Sequence, residues 1–168
     1  MKRIRCIHYA LIVAMSLLSF ASAADFSKET VSDDSVKQAL EDIINHEFTV
    51  STNEISGPNE MNIIIKVAPW ETWNTEMFVL GTTNTATEVF GLLFSNPTVE
   101  RVYYWQNQIF IDAYGNEDIS KAVAFDMRKE TAMKINWDNF KDLVLVDYKN
   151  LFNVADDTYI HPAIKKDM

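Results

Sequence analysis

The sequence predicts an α+β domain, a hairpin-rich and mostly antiparallel sheet with helices packed on one side. Two observations carry this. Helical periodicity appears near the start, in the middle and at the end of the chain, and the segments between are rich in β-branched and aromatic residues. Turn signals also recur between those β-rich runs at short spacing, which favours hairpins.

The first helix is expected over 34–46. Val36, Leu40, Ile43 and Ile44 fall at i, i+4, i+7 and i+8, on one face. Ser32, Asp33 and Asp34 supply cap oxygens and negative charge where the first backbone N–H groups lack partners. Phe48 and Val50 alternate with polar residues, a strand over 47–55. Gly57-Pro58-Asn59 then marks a turn. The consecutive Ile63, Ile64 and Ile65 make Met61–Val67 the clearest strand, a central one buried on both faces.

The stretch 70–95 reads mostly as helix. Thr85 and Glu88 have capping-box spacing before Val89, Phe90, Leu92 and Leu93, whereas Gly81, Thr82, Thr83 and Asn84 are poor helix formers. Either one helix runs through a weak middle, or a short element near 74–80 precedes a helix at 84–95. Asn96-Pro97 ends it. Two β-rich runs, 99–105 and 108–113, flank Gln106-Asn107, a spacing that fits a two-residue hairpin without the favoured glycine. Tyr114-Gly115-Asn116 is a second turn and 123–128 a further strand. From Asn136 a helical period returns through Trp137, Phe140, Val144 and Leu151, with a buried strand at 143–146 as the alternative. No repeat, low-complexity tract or linker divides the chain.

The N-terminus has the order of a cleavable export signal. Lys2, Arg3 and Arg5 precede an almost unbroken apolar run over 10–20, and Ala21-Ser22-Ala23 supplies small residues for cleavage before Ala24. The run is about a dozen residues, short of the roughly 20 a membrane anchor needs. Residues 1–23 are thus read as a signal peptide and 24–168 as one mature domain, periplasmic or extracellular. Cys6 is the only cysteine and lies in the leader, so the mature domain has neither disulfides nor cysteine-ligated metal. The absence of Asn-x-Ser/Thr sequons fits a bacterial envelope protein.

The formal net charge is −9, and the leader carries three basic and no acidic residues, which makes the mature domain −12. That sign repels nucleic acid and anionic membrane surfaces. It serves solubility and steers cationic partners. No later segment is long and apolar enough for stable membrane insertion after cleavage.

Catalytic motifs are missing. No G-x-S-x-G is present, and the glycines Gly57, Gly81, Gly91 and Gly115 lie too far apart to cradle a phosphate. No cofactor or metal site is expected. His46 is explained by the helix C-terminus it is expected to close. Asp112, Glu117 and Asp118 flank a turn, and His161 lies downstream of Asp156 and Asp157. A small hydrolase would pair Asp112 with Asp118, with His161 as an outside candidate and one carboxyl group raised in pKa.

The aromatic residues point elsewhere. Tyr103 and Trp105 share one face of a strand, opposite Tyr104 and Val102. Trp70 and Trp73 form a second pair. Exposed aromatics are enriched in binding surfaces. The expected function is therefore a non-enzymatic binding or interaction module of the cell envelope, with Trp70, Trp73, Tyr103 and Trp105 as candidate contacts. Its partner is a protein or a small ligand; the alternative for each ring is a place in the core.

Overall fold

A computed structural model describes residues 25–57, 59–72 and 74–166. The expected leader and cleavage site, Pro58 and Trp73 lie outside the described residues. A 3-10 turn at Phe26–Lys28 is followed by helix α1 (Asp33–Leu40), strands β1 (Phe48–Glu54) and β2 (Met61–Val67), and helix α2 (Thr75–Leu93). The long strands β3 (Val99–Ile111) and β4 (Glu117–Arg128) follow, then helices α3 (Lys129–Ala132), α4 (Trp137–Val146) and α5 (Lys149–Val154). A short strand β5 (Asp157–Ile160) and helix α6 (Pro162–Lys165) complete the described chain.

The five strands form one sheet in the order β1-β2-β3-β4-β5. All pairings are antiparallel except β2 with β3, which run parallel because α2 carries the chain back across the sheet between them. The α+β class, the mostly antiparallel sheet and the one-sided helices are as the sequence predicts. The core lies between the sheet and its helices. Ile63, Ile65 and Val67 of β2 and Val102 and Tyr104 of β3 meet Val36 and Leu40 of α1 and Val79, Ala86, Phe90 and Leu93 of α2.

α1 starts as expected, with Ser32 Oγ accepting from Ser35 N at 3.2 Å, but it stops at Leu40 rather than near 46. The N–H groups of Ile43 and Ile44 both donate to Leu40 O, a turn that frees the chain to enter β1. His46 therefore does not close a helix. It stacks on Trp70 with ring centroids 5.3 Å apart. β2 holds the second position in the sheet, yet only one of its faces is fully buried; Ile64 is half-buried.

α2 is a single helix, capped by Asn74 Oδ1 accepting from Met77 N at 2.9 Å. Its weak middle holds because tertiary burial outweighs propensity. Thr82, Thr83 and Thr87 are buried, and the hydroxyls of Thr83 and Thr87 donate to Leu80 O and Thr83 O.

The hairpin expected at Gln106-Asn107 is absent. β3 runs straight through it, and the chain reverses at Tyr114-Gly115-Asn116, where Gly115 has φ +86°. Gln106 and Asn107 are held extended because their side-chain amides donate to backbone carbonyls of the preceding loop and strand end. Gln106 Nε2 reaches Ala68 O at 2.8 Å and Asn107 Nδ2 reaches Val67 O at 2.9 Å. The C-terminal helical pattern is two helices, interrupted where Asn150 Nδ2 caps α4 by donating to Leu143 O and Asp147 O. Segment 143–146 is helical, with Val144 buried and Val146 exposed.

Candidate functional site

The sheet face opposite the helices carries the candidate site. Side chains along β3 alternate, so Val102, Tyr104 and Gln106 enter the core while Arg101, Tyr103 and Trp105 stand on the other face, half-buried. Trp105 has Lys66 of β2 as its partner on one flank and Ala124 of β4 on the other. Beyond Ala124 lies Tyr159 of β5. The small alanine between two large rings leaves a depression of about 140 Å³, bounded by Tyr103, Trp105, Lys121, Asp126, Asp157 and Tyr159.

A bulge in β4 adds the cation that strict alternation would place in the core. Gln106 pairs with Val123 but Asn107 pairs with Lys121, so Ala122 has no partner on β3 and the alternation inverts below it. Lys121 thereby joins Trp105 and Tyr159, with its Nζ 5.0 Å and 4.6 Å from their ring centroids. Lys66 Nζ approaches the Trp105 centroid to 4.7 Å, and the Arg101 guanidinium lies 4.4 Å from that of Tyr103. Each contact sets a cation against the negative face of a π system. Arg101 also makes a two-pronged ion pair with Asp126, and this pair raises the guanidinium pKa above its ordinary value.

The same face continues along the distal part of the β3–β4 hairpin, past the ends of β2 and β5. Ile109 and Ile119 are cross-strand partners there and Ile111 follows, at 45, 63 and 67 % exposure. With the half-buried Tyr103 and Trp105 they give this face two apolar areas, parted by the Asn107–Lys121 pair, and exposed apolar area of this kind marks interaction surfaces.

Trp70 does not share this surface. It packs on the helix side against Phe78 and over Gly81, bordering a cavity of about 80 Å³ that Thr82, Tyr104 and Gln106 also line. Burial pushes the Tyr104 phenol well above its ordinary pKa, so it stays neutral. Trp73 lies outside the described residues. Of the four aromatic candidates, the structure therefore brings together Tyr103 and Trp105.

The carboxylates of the hydrolase reading are otherwise engaged. Asp112 closes the β3–β4 turn by accepting from Tyr114 N, Asn116 N and Asn116 Nδ2, and these hydrogen bonds hold its carboxyl below the ordinary range. Asp118 is exposed and accepts from the Ser120 hydroxyl. His161 caps α6, its Nδ1 accepting from Ala163 N at 3.2 Å, and stacks on Phe110. Among the described residues no group of three His, Cys, Asp or Glu is placed to hold a metal ion, and no helix is long and apolar enough to cross a membrane.

Reading the residues alone missed Lys66, Lys121, Tyr159 and the isoleucines. Ile109 and Ile111 carried a usable signal, since they keep the parity of Tyr103 and Trp105; the expected turn at 106–107 hid it. Lys121 carried none, because only the bulge brings it to this face.

Comparison of the chain with protein-family models, curated proteins and solved structures gives no match. The functional reading rests on this chain's own residues.

Proposed function

We propose that this protein is an exported, non-enzymatic interaction module of the cell envelope that docks a protein partner on the open face of its sheet. The observation that carries the reading is one shared face. Trp105, Tyr103 and Tyr159 lie on the side away from the helices together with the exposed Ile109, Ile111 and Ile119, the two groups separated by the Asn107–Lys121 pair. Aromatic anchors give large contact area at small entropic cost, and a neighbouring apolar strip adds area that water leaves on docking. The export half of the reading is supported by the order of charge, apolar run and small residues over 1–23.

The test pairs capture with mutation. The tagged protein is used to retain partners from the envelope fraction of its own cells, alongside Trp105→Ala and Ile119→Asp. Docking on this face requires both variants to lose the retained partner while keeping the native circular dichroism and melting temperature within a few degrees. Retention by both variants, or a large fall in melting temperature for Trp105→Ala, removes the assignment. Intact mass of the protein from the envelope fraction separately checks removal of 1–23.

A further inference from the structure

Open edges of this sheet are closed by side chains. On β1 the Asp33 carboxylate accepts from Thr52 N at 2.6 Å, on distal β3 the Gln108 amide oxygen accepts from Ile109 N at 2.9 Å, and on β5 the Asp157 carboxylate accepts from Thr158 N at 2.9 Å. Such contacts occupy donors that a further strand would otherwise use. The stretch 117–121 of β4 differs. It lies between the β3–β4 turn and the start of the β5 pairing at Val123, and among the described residues no side chain accepts from the backbone N–H of Glu117, Ile119 or Lys121. Antiparallel pairs alternate in whether they exchange hydrogen bonds. Ile109 N is engaged by Gln108, so the Ile109–Ile119 pair is a non-bonded one and the N–H and C=O of Ile119 point away from β3. Glu117 and Lys121 share that parity.

We infer that a second copy of this chain pairs with residues 117–121 of β4, antiparallel and centred on Ile119, and so joins two five-stranded sheets into one. The stretch is its own complement. In that register Glu117 faces Lys121 of the second copy, Ile119 faces Ile119, and Lys121 faces Glu117. Within one chain the two charges lie about 13 Å apart along the strand, too far to pair. Ile119, 63 % exposed, gains an apolar neighbour at the two-fold axis. Main-chain hydrogen bonds supply the affinity of such strand addition, and the cross-strand side-chain pairs set its register. The pairing ends after five residues because His161 N already donates to Ala122 O at 2.7 Å and holds the next position. Opposite residues of an antiparallel pair point to the same face, so the open faces of the two copies become continuous. The contact uses the edge of the sheet and stands apart from the docking proposed on its face.

Sedimentation of the purified protein from about 1 µM to about 1 mM should show a monomer–dimer equilibrium, a weak one because so short a pairing buries little area. In hydrogen exchange the amides of Glu117, Ile119 and Lys121 should gain protection with concentration, while those of Asp118 and Ser120 should not. Glu117→Lys and Lys121→Glu each set like charges opposite one another and are expected to weaken the dimer at least about fivefold, whereas the double exchange E117K/K121E restores it. Melting temperatures show that each variant is folded. A monomer throughout the range, protection without alternation, single exchanges that leave the dimer unchanged, or a double exchange that does not restore it overturns the inference. A dimer that survives the exchanges but is lost in W105A forms through the open face and overturns it as well. If no dimer forms while Trp105→Ala still loses its captured partner, the edge pairing is wrong and the docking face stands.

Discussion

Arg101 and Asp126 are joined diagonally across β3 and β4 by two hydrogen bonds, with Arg101 Nε donating to Asp126 Oδ1 at 2.8 Å. The aspartate is 7 % exposed and lies beneath the open face, so the guanidinium it holds is fixed over Tyr103. Replacing Asp126 with Ala leaves a half-buried guanidinium without its partner. The expected cost is about 2 kcal/mol in urea denaturation, and the double variant Arg101→Met/Asp126→Leu should recover most of it. If Asp126→Ala is neutral, the pair does not hold the face.

Asn96 should matter more than its place in a loop suggests. It is buried, and its Nδ2 donates to Phe26 O at 2.7 Å and Glu29 O at 2.9 Å, while its Oδ1 accepts from Thr98 N and Thr98 Oγ1. One side chain therefore ties the first described segment to the α2–β3 connection. Asn96→Ala is expected to cost about 3 kcal/mol and to raise amide hydrogen exchange over 26–31 more than in the sheet. Uniformly raised exchange would show that the segment is not a separate unit.

Two glycines of one helix should respond oppositely to alanine. At Gly81 an added Cβ meets the Trp70 ring at 2.8 Å, so overpacking outweighs the gain in helix propensity, and a loss of about 1–2 kcal/mol is expected with a change in tryptophan emission. At Gly91 the Cβ meets Trp137 at 3.4 Å, an ordinary contact, and a gain of about 0.5–1 kcal/mol is expected. Melting temperatures of the two variants test the pair directly.

Asp112 supplies a pH dependence of known sign. Its folded-state pKa is lowered from 3.8 by hydrogen bonds to its ionised form, first from the Asn116 side chain. A lowered folded pKa contributes stability above the unfolded value and loses it as pH falls through the folded value. The stability advantage of wild type over Asp112→Asn should therefore shrink below about pH 4. An advantage that is constant from pH 3 to 6 would mean that the carboxylate charge plays no part in closing the turn.

What was legible in the residues is what short-range physics controls. The Ser32 cap begins α1, the isoleucine run makes β2, Asn96-Pro97 ends α2, and the alternation of Tyr103, Tyr104 and Trp105 sorts them between two faces. Where local signals competed, long-range contacts decided. α2 continues through its weak middle because it is buried against the core, Thr82, Thr83 and Thr87 included, and β3 continues through Gln106-Asn107 because their amides find carbonyls about 40 positions away. β5 was not anticipated at all; its four residues exist as a strand by pairing with Val123–Asp126 of β4.

The candidate site divides along the same line. By itself the sequence determined that Tyr103 and Trp105 share a face, since the side-chain period of a strand is a local property. It also set the acidic net charge of −9. Only the tertiary structure decided which face the helices leave open, that Trp70 is turned to the other side, and that Lys121 joins Trp105. Those outcomes depend on strand order, on a parallel β2–β3 pairing made possible by α2, and on one unpaired residue at Ala122. Register is a relation between strands far apart in the chain, and no local pattern at residue 121 records it.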